Sequence, residues 1–133
     1  MVVGVVFRGN KELDGVLVGE GARGLSDIMT DLLIDSKHYG QVRLILLDEA
    51  MLPEKVDCES LWMRTGKPVL VICRNNEFNP RFMFKYHEVT ISATGIDEES
   101  ARRVLRVVYG ESEPESLRIA SIILESMSTL HNV

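Results

Sequence analysis

Apolar and polar positions change period several times along this chain, and each change marks an element. Met1 to Phe7 is apolar and rich in valine, and Leu13 to Val18 is a second such run. The polar Arg8-Gly9-Asn10-Lys11-Glu12 lies between them, so the two runs predict a β-hairpin. After Gly21 and Gly24 the period lengthens. Leu25, Ile28, Met29, Leu32 and Leu33 fall at helical spacing and predict an amphipathic helix. A polar connection, Ser36 to Gln41, leads into Val42-Arg43-Leu44-Ile45-Leu46-Leu47, the most strand-like run of the chain, which stops at Asp48-Glu49.

The second half follows the same logic. Asp57 is placed to cap a short helix containing Leu61, Trp62 and Met63, with Gly66 as its stop. Pro68 then opens the wholly apolar Val69-Leu70-Val71-Ile72-Cys73. Two apolar runs enclosing a helix predict a βαβ unit and a parallel strand pair. Phe82, Phe84 and Tyr86 alternate with Met83, Lys85 and His87, the pattern of a half-buried strand. Val89 to Ser92 reads as a short edge strand. Asp97 caps a helix with Ala101, Val104, Leu105 and Val108 on one face and Arg102, Arg103 and Arg106 outward. Pro114 suits the first turn of a last helix, with Leu117, Ala120, Ile123, Leu124 and Met127 inward. Together these elements predict a single α/β domain, residues 1–133, built as a mixed sheet flanked by helices.

Composition narrows the function. With 133 residues the chain can bury a true core, and 45% hydrophobic with 26% charged residues is the balance of a globular protein. A net charge of −5 argues against a broadly basic, duplex-gripping surface, while leaving room for a local basic patch. Cys58 and Cys73 lack CxxC spacing and are expected to be reduced. No apolar stretch approaches the roughly 18 residues of a membrane span. With no signal-like N-terminus either, the expectation is a cytoplasmic protein without a membrane partner.

Asp48 is the leading candidate for chemistry. An acid at the end of a buried strand is where divalent cations are held beside phosphodiesters. A polar pair that simply ends a strand is the commoner meaning of Asp48-Glu49. Asp57 lies nine positions on and can approach the same sheet end, although helix capping accounts for it alone. For nucleic-acid contact the candidates are His38, in a polar loop, and Arg74, Arg81 and Lys85, interleaved with Phe78, Phe82, Phe84 and Tyr86. A solvated loop and a half-buried strand are the plainer meanings of the same residues.

Several stretches together resemble the archaeal domain-of-unknown-function family 99, also described as endonuclease-V-like. They are Gly4 to Gly9, Leu13 to Leu17, the series Ser36, His38, Gln41, Arg43, Ile45, Leu47 and Asp48, then Val56-Asp57, Gly66 and Pro68 to Val71. Pro114-Glu115-Ser116-Leu117-Arg118 is similar to the family's Pro-Glu-Pro-Leu-Arg segment. No single motif is specific, but the series covers most of the chain in order. The resemblance implies an RNase H-like fold. It also implies Mg²⁺ or Mn²⁺ at Asp48 if the chain is active, and single-stranded or damaged DNA as partner.

The family begins with one more strand, ending in Gly-Ile-Asp-Asp, whose first Asp is the expected principal metal ligand. This chain starts at the family's second strand, and so reads as N-terminally truncated. Glu49 stands where a Gly follows the acid, and Pro53-Glu54-Lys55 replaces Gly-Phe-Asn. The expectation is a catalytically degenerate relative that keeps nucleic-acid binding. The alternatives are a protein-interaction or homodimerisation module, and an active metal-dependent endonuclease for deaminated DNA. Without the extra strand, either the hairpin pairs directly with Val42–Leu47 in a mixed sheet of four or five strands, or another chain covers the gap, and a homodimer is the expected assembly.

Overall fold

The structure, a computed structural model, describes residues 2–8, 12–73, 82–109 and 114–131. Strands β1 (Val2–Arg8) and β2 (Glu12–Gly19) form the expected hairpin, with a register shift between Val6 and Phe7. Helix α1 (Leu25–Ile34) follows, then β3 (Ile45–Asp48), a 3₁₀ turn (Glu49–Met51) and α2 (Cys58–Thr65). Next come β4 (Val69–Cys73), β5 (Met83–Tyr86), β6 (Val89–Thr94), α3 (Glu98–Tyr109) and α4 (Glu115–His131).

Strand β4 organises the molecule. It pairs parallel with β3 (Ile45 opposite Val69, Asp48 opposite Ile72) and antiparallel with β6, giving the order β3-β4-β6-β5. Alternate side chains of a strand face opposite sides, and both sides of β4 are apolar. Leu70 and Ile72 join Phe84, Tyr86, Ile91, Ala101 and Leu105 in one core under α3 and α4. Val69 and Val71 join Leu47, Leu61 and Met29 in the other, under α1 and α2. Such continuous apolar runs are typical of strands covered on both faces.

Three expectations need correcting. Val89–Thr94 is not an edge strand, because it lies between β4 and β5 and buries Thr90 and Ile91. The residues before it supply the edge: Phe84 and Tyr86 are buried, and a tight turn with His87 in the left-handed region (φ 53°) reverses the chain. The strand preceding Asp48 is also shorter than its apolar run. Val42 to Leu44 approach without ladder pairing, and pairing starts at Ile45, opposite Val69. Finally, the hairpin does not join the main sheet. Among the described residues β1 pairs with β2 alone, and the two form a separate two-stranded sheet. Helices set its position: α4 packs on β1 and α1 on β2, with Gly19 in contact with Ile28 and Leu32.

Local signals end the helices as the sequence implies. The Asp57 carboxylate accepts a hydrogen bond from the Ser60 N–H (3.0 Å) at the start of α2. Gly66 ends that helix at φ 73°, a conformation that favours a residue without Cβ. Asp97 accepts from the Ser100 N–H (3.1 Å) and hydroxyl (2.7 Å), and these bonds hold its carboxyl below the usual carboxylate range.

Because β4 serves both cores, truncating Leu70 to Ala should lower stability by about 2–5 kcal/mol. Met63→Ala, at a side chain 71% exposed, should change it by less than about 0.5 kcal/mol. Urea unfolding of the two variants measures the difference.

Candidate functional site

Asp48 is the last residue of β3, at the carboxyl end of the parallel β3–β4 pair. In open α/β sheets that end is where ligand-binding groups collect. Its side chain is 8% exposed, and Oδ1 accepts a hydrogen bond from the Ala50 N–H (3.0 Å), capping the 3₁₀ turn. The chain therefore turns at Glu49, and the strand alternation that would set Asp48 and Glu49 on opposite sides ends there.

Asp57 lies where the starts of α1 and α2 meet. Its N–H donates to Ser26 Oγ (2.8 Å), while the Glu54 carboxylate accepts from the Leu25 N–H (3.2 Å) at the start of α1. Each acid is thus engaged by backbone donors at the start of a nearby helix or turn. Among the described residues no three His, Cys, Asp or Glu side chains gather closely enough to hold a metal ion. The donor set for a two-metal phosphodiester centre, which needs several converging carboxylates, is not assembled from these residues.

His38 occupies the loop before β3. Its ring lies against Gly15 of β2, so closely that a Cβ at position 15 would collide with Nε2. Gln41 Nε2 is 2.9 Å from Nδ1, and the His38 N–H donates to Ser36 Oγ (2.9 Å). Lys85 lies on β5, the opposite edge of the sheet, where Nζ bonds Thr90 Oγ1 (2.8 Å). His38 and Lys85 therefore do not share a surface. Arg74 and Arg81 lie outside the described residues.

Between the hairpin and the main sheet is an apolar slot of about 590 Å³. One side wall is β1, from Val2 to Phe7, and the other is β3 with its approach, from Gln41 to Asp48. Leu25, Met29, Leu32 and Leu33 of α1 close one face, and residues of α3 and α4 such as Val108 and Leu124 close the other. The walls run in opposite directions. His38, before β3, touches Gly15, which pairs with Val6 late in β1, whereas Gly19, paired with Val2, contacts the middle of α1. Asp48 and Asp14 both line the slot. Asp14 neighbours Gly15 at the His38 end, and Asp48 marks the other end.

Two features had little signal in the sequence. Arg102, expected to point into solvent, places its guanidinium 4.7 Å over the Phe84 ring and donates to the Lys85 carbonyl (2.9 Å) and to Glu98 (2.9 Å). Trp62, 36% exposed, packs its indole against Gly95, where a Cβ would overlap the ring. A glycine with φ 78° right after the β6 run is the trace that could have pointed to this contact. Neither cysteine is part of a disulfide. Burial, then the neighbouring Cys73 and Asp57, pushes the Cys58 thiol above its ordinary range.

The architecture is an α/β protein with a mixed sheet between helical layers. A crystal structure of a protein of unknown function from Archaeoglobus fulgidus has the same fold, with a TM-score of 0.78, 20% identity, 94% of this chain covered and 88% of that one. No family model matches the chain. A UPF0215 protein from Methanosarcina acetivorans is 30% identical over 157 residues, covering 92% of this chain and 80% of that protein. One from Methanothermobacter thermautotrophicus is also 30% identical, over 161 residues. The chain belongs to the UPF0215 family, a group of archaeal proteins whose function is uncharacterised. Both alignments are longer than the 133 residues of this chain, so the relatives carry residues with no counterpart here. Among the described residues no helix is long and apolar enough to cross a membrane.

Two outcomes follow from the local geometry. Asp48→Ala should cost about 1 kcal/mol or more, read by urea unfolding, because it removes a cap. Since the Cys58 pKa is raised, its thiolate fraction near pH 8 should fall below that of an ordinary cysteine. Alkylation of Cys58 should then be slower than that of a model thiol and accelerate only at higher pH. A Cys73→Ser variant isolates the measurement.

Proposed function

We propose that the chain is an RNase H-like, endonuclease-V-like domain that binds nucleic acid but does not cut it as a lone polypeptide. The observation that carries this reading is Asp48, a buried acid at the carboxyl end of a parallel strand pair and at one end of an apolar slot. The order hairpin, helix, strand, helix, parallel strand supports it. In this reading Asp48 is the acid that would face Mg²⁺ or Mn²⁺. Without a converging donor set among the described residues, no cleavage step is assigned to it or to Asp57.

Binding would rest on local basic residues: Arg74, Arg81 and Lys85 are candidates, and His38, which does not share a surface with Lys85, is a separate one. Fluorescence anisotropy with labelled single-stranded DNA and a deoxyinosine-containing duplex tests this. Binding at about 50 mM salt should weaken steeply by about 200 mM, as expected when cations displace counterions. The double variant Arg74→Ala, Arg81→Ala should bind several-fold more weakly. No binding at low salt would defeat the reading. Cleavage that needs Mg²⁺ or Mn²⁺ and disappears in Asp48→Asn would instead make the protein an active nuclease.

A second reading, homodimerisation, is favoured by the outer strand of the hairpin. Leu13, Val16 and Val18 of β2 are 43–48% exposed on a strand paired on one side only among the described residues. Exposed apolar edges invite pairing with another strand. Light scattering should then give twice the chain mass, and Val16→Lys should return it to a monomer.

A further inference from the structure

Two nucleophilic side chains take no part in the reading above, and the βαβ connection brings them together. Cys58 is the first residue of α2, and Cys73 is the last of β4. Helix α2 leads from the end of β3 back to the start of β4, and the two strands are parallel. It therefore runs against them, and its first turn sits at their carboxyl ends, level with Cys73. Trp62, further along α2, fits this direction. It packs on Gly95, just past Thr94, which pairs with Val69 at the amino end of β4. The faces agree as well. Strand alternation sets Cys73 with Val69 and Val71 and away from Leu70 and Ile72, and Cys58 packs in the layer of Val69 and Val71. After burial, charge on Cys73 is the next cause that pushes the Cys58 thiol up. Each Sγ is held by a long contact to the carbonyl two residues earlier, Cys58 to Val56 (3.6 Å) and Cys73 to Val71 (3.7 Å). Thiols are weak donors, so these contacts cost little to give up.

We propose that Cys58 and Cys73 form a redox-sensitive dithiol, which a low-molecular-weight disulfide converts into an intramolecular bond between α2 and β4. Exposure sets the order of events. Cys58 is half-buried and Cys73 is buried, so the small disulfide meets Cys58 first. The Cys58 thiolate attacks one of its sulfurs, the small S–S bond breaks, and one small thiol leaves with the proton that Cys58 released. The Cys73 thiolate then attacks the Cys58 sulfur of the mixed disulfide and expels the second small thiol. Two protein thiols are oxidised to one disulfide, and one small disulfide is reduced to two thiols. Burial pushes both protein thiols up, so exchange is slower than at an ordinary cysteine and the dithiol is the resting form. The bond would tie the helix start that carries Asp57 to β4, the strand paired with the one that ends at Asp48. The proposal stands apart from nucleic-acid binding, because its test reads thiols and not DNA.

The probe is oxidised glutathione, added to the full folded chain near pH 8, followed by alkylation in denaturant and mass spectrometry. Both thiols should disappear together, leaving a chain two hydrogens lighter with no glutathione attached. Digestion should then yield a peptide that joins Cys58 to Cys73, and dithiothreitol should restore both thiols. The oxidised chain should unfold at higher urea than the reduced one, because the cross-link constrains the unfolded state. Cys73→Ser should stop at a stable glutathione adduct on Cys58. Cys58→Ser should take up glutathione at least about tenfold more slowly than Cys73→Ser, since the remaining thiol is buried. A glutathione adduct that persists on the unsubstituted chain, or disulfides between chains, would overturn the pairing. So would thiols that stay unreacted in the folded protein and join only in urea.

Discussion

Strand β4 touches both cores, and most of the fold follows from that. Its five residues alternate between two apolar layers, so α1 and α2 on one side and α3 and α4 on the other are held to a common middle plane. Its parallel pairing with β3 fixes where Asp48 comes to rest, and its antiparallel pairing with β6 extends the sheet away from the hairpin. Helix faces that would otherwise be unsupported find their partners because one strand is buried on both sides.

Elements with a buried apolar face were legible in the sequence. The stripe Leu25, Ile28, Leu33 and the pair Ala101, Leu105 lie inward as their spacing implies, and Asp57 and Gly66 bound α2 as cap and stop. Relations between elements were less legible. Nothing local in Val89–Ser92 says that a further strand, Met83–Tyr86, lies outside it, since both runs have the same period. The apolar run begins at Val42 but ladder pairing begins at Ile45, because apolar residues that approach a sheet look like those that pair within it. The position of Arg102 over Phe84 depends on two elements meeting, and so left no trace in the helix pattern.

The candidate site divides in the same way. The place of Asp48 at a strand end was readable because an apolar run stopping at an acid is a one-dimensional signal. Whether other acids converge on it is a three-dimensional question. The structure answers it for the described residues by giving the Asp48 and Asp57 carboxylates to the starts of a turn and a helix. His38 and Lys85 share basic chemistry but not a place: one precedes β3, and the other lies on β5, the opposite edge of the sheet.

The separate hairpin also bears on how the molecule comes apart. Most two-stranded units in an α/β protein are tied into a continuous ladder, so opening one breaks a row of hydrogen bonds. Here β1 and β2 are fastened by side-chain contacts with α1 and α4 and by the His38 ring seated on Gly15. Side-chain packing can be lost in one local step while the β3-β4-β6-β5 ladder stays intact. Among the described residues nothing ties the hairpin into that ladder, so it should open as a unit of its own, at a free-energy cost no greater than that of unfolding the whole molecule.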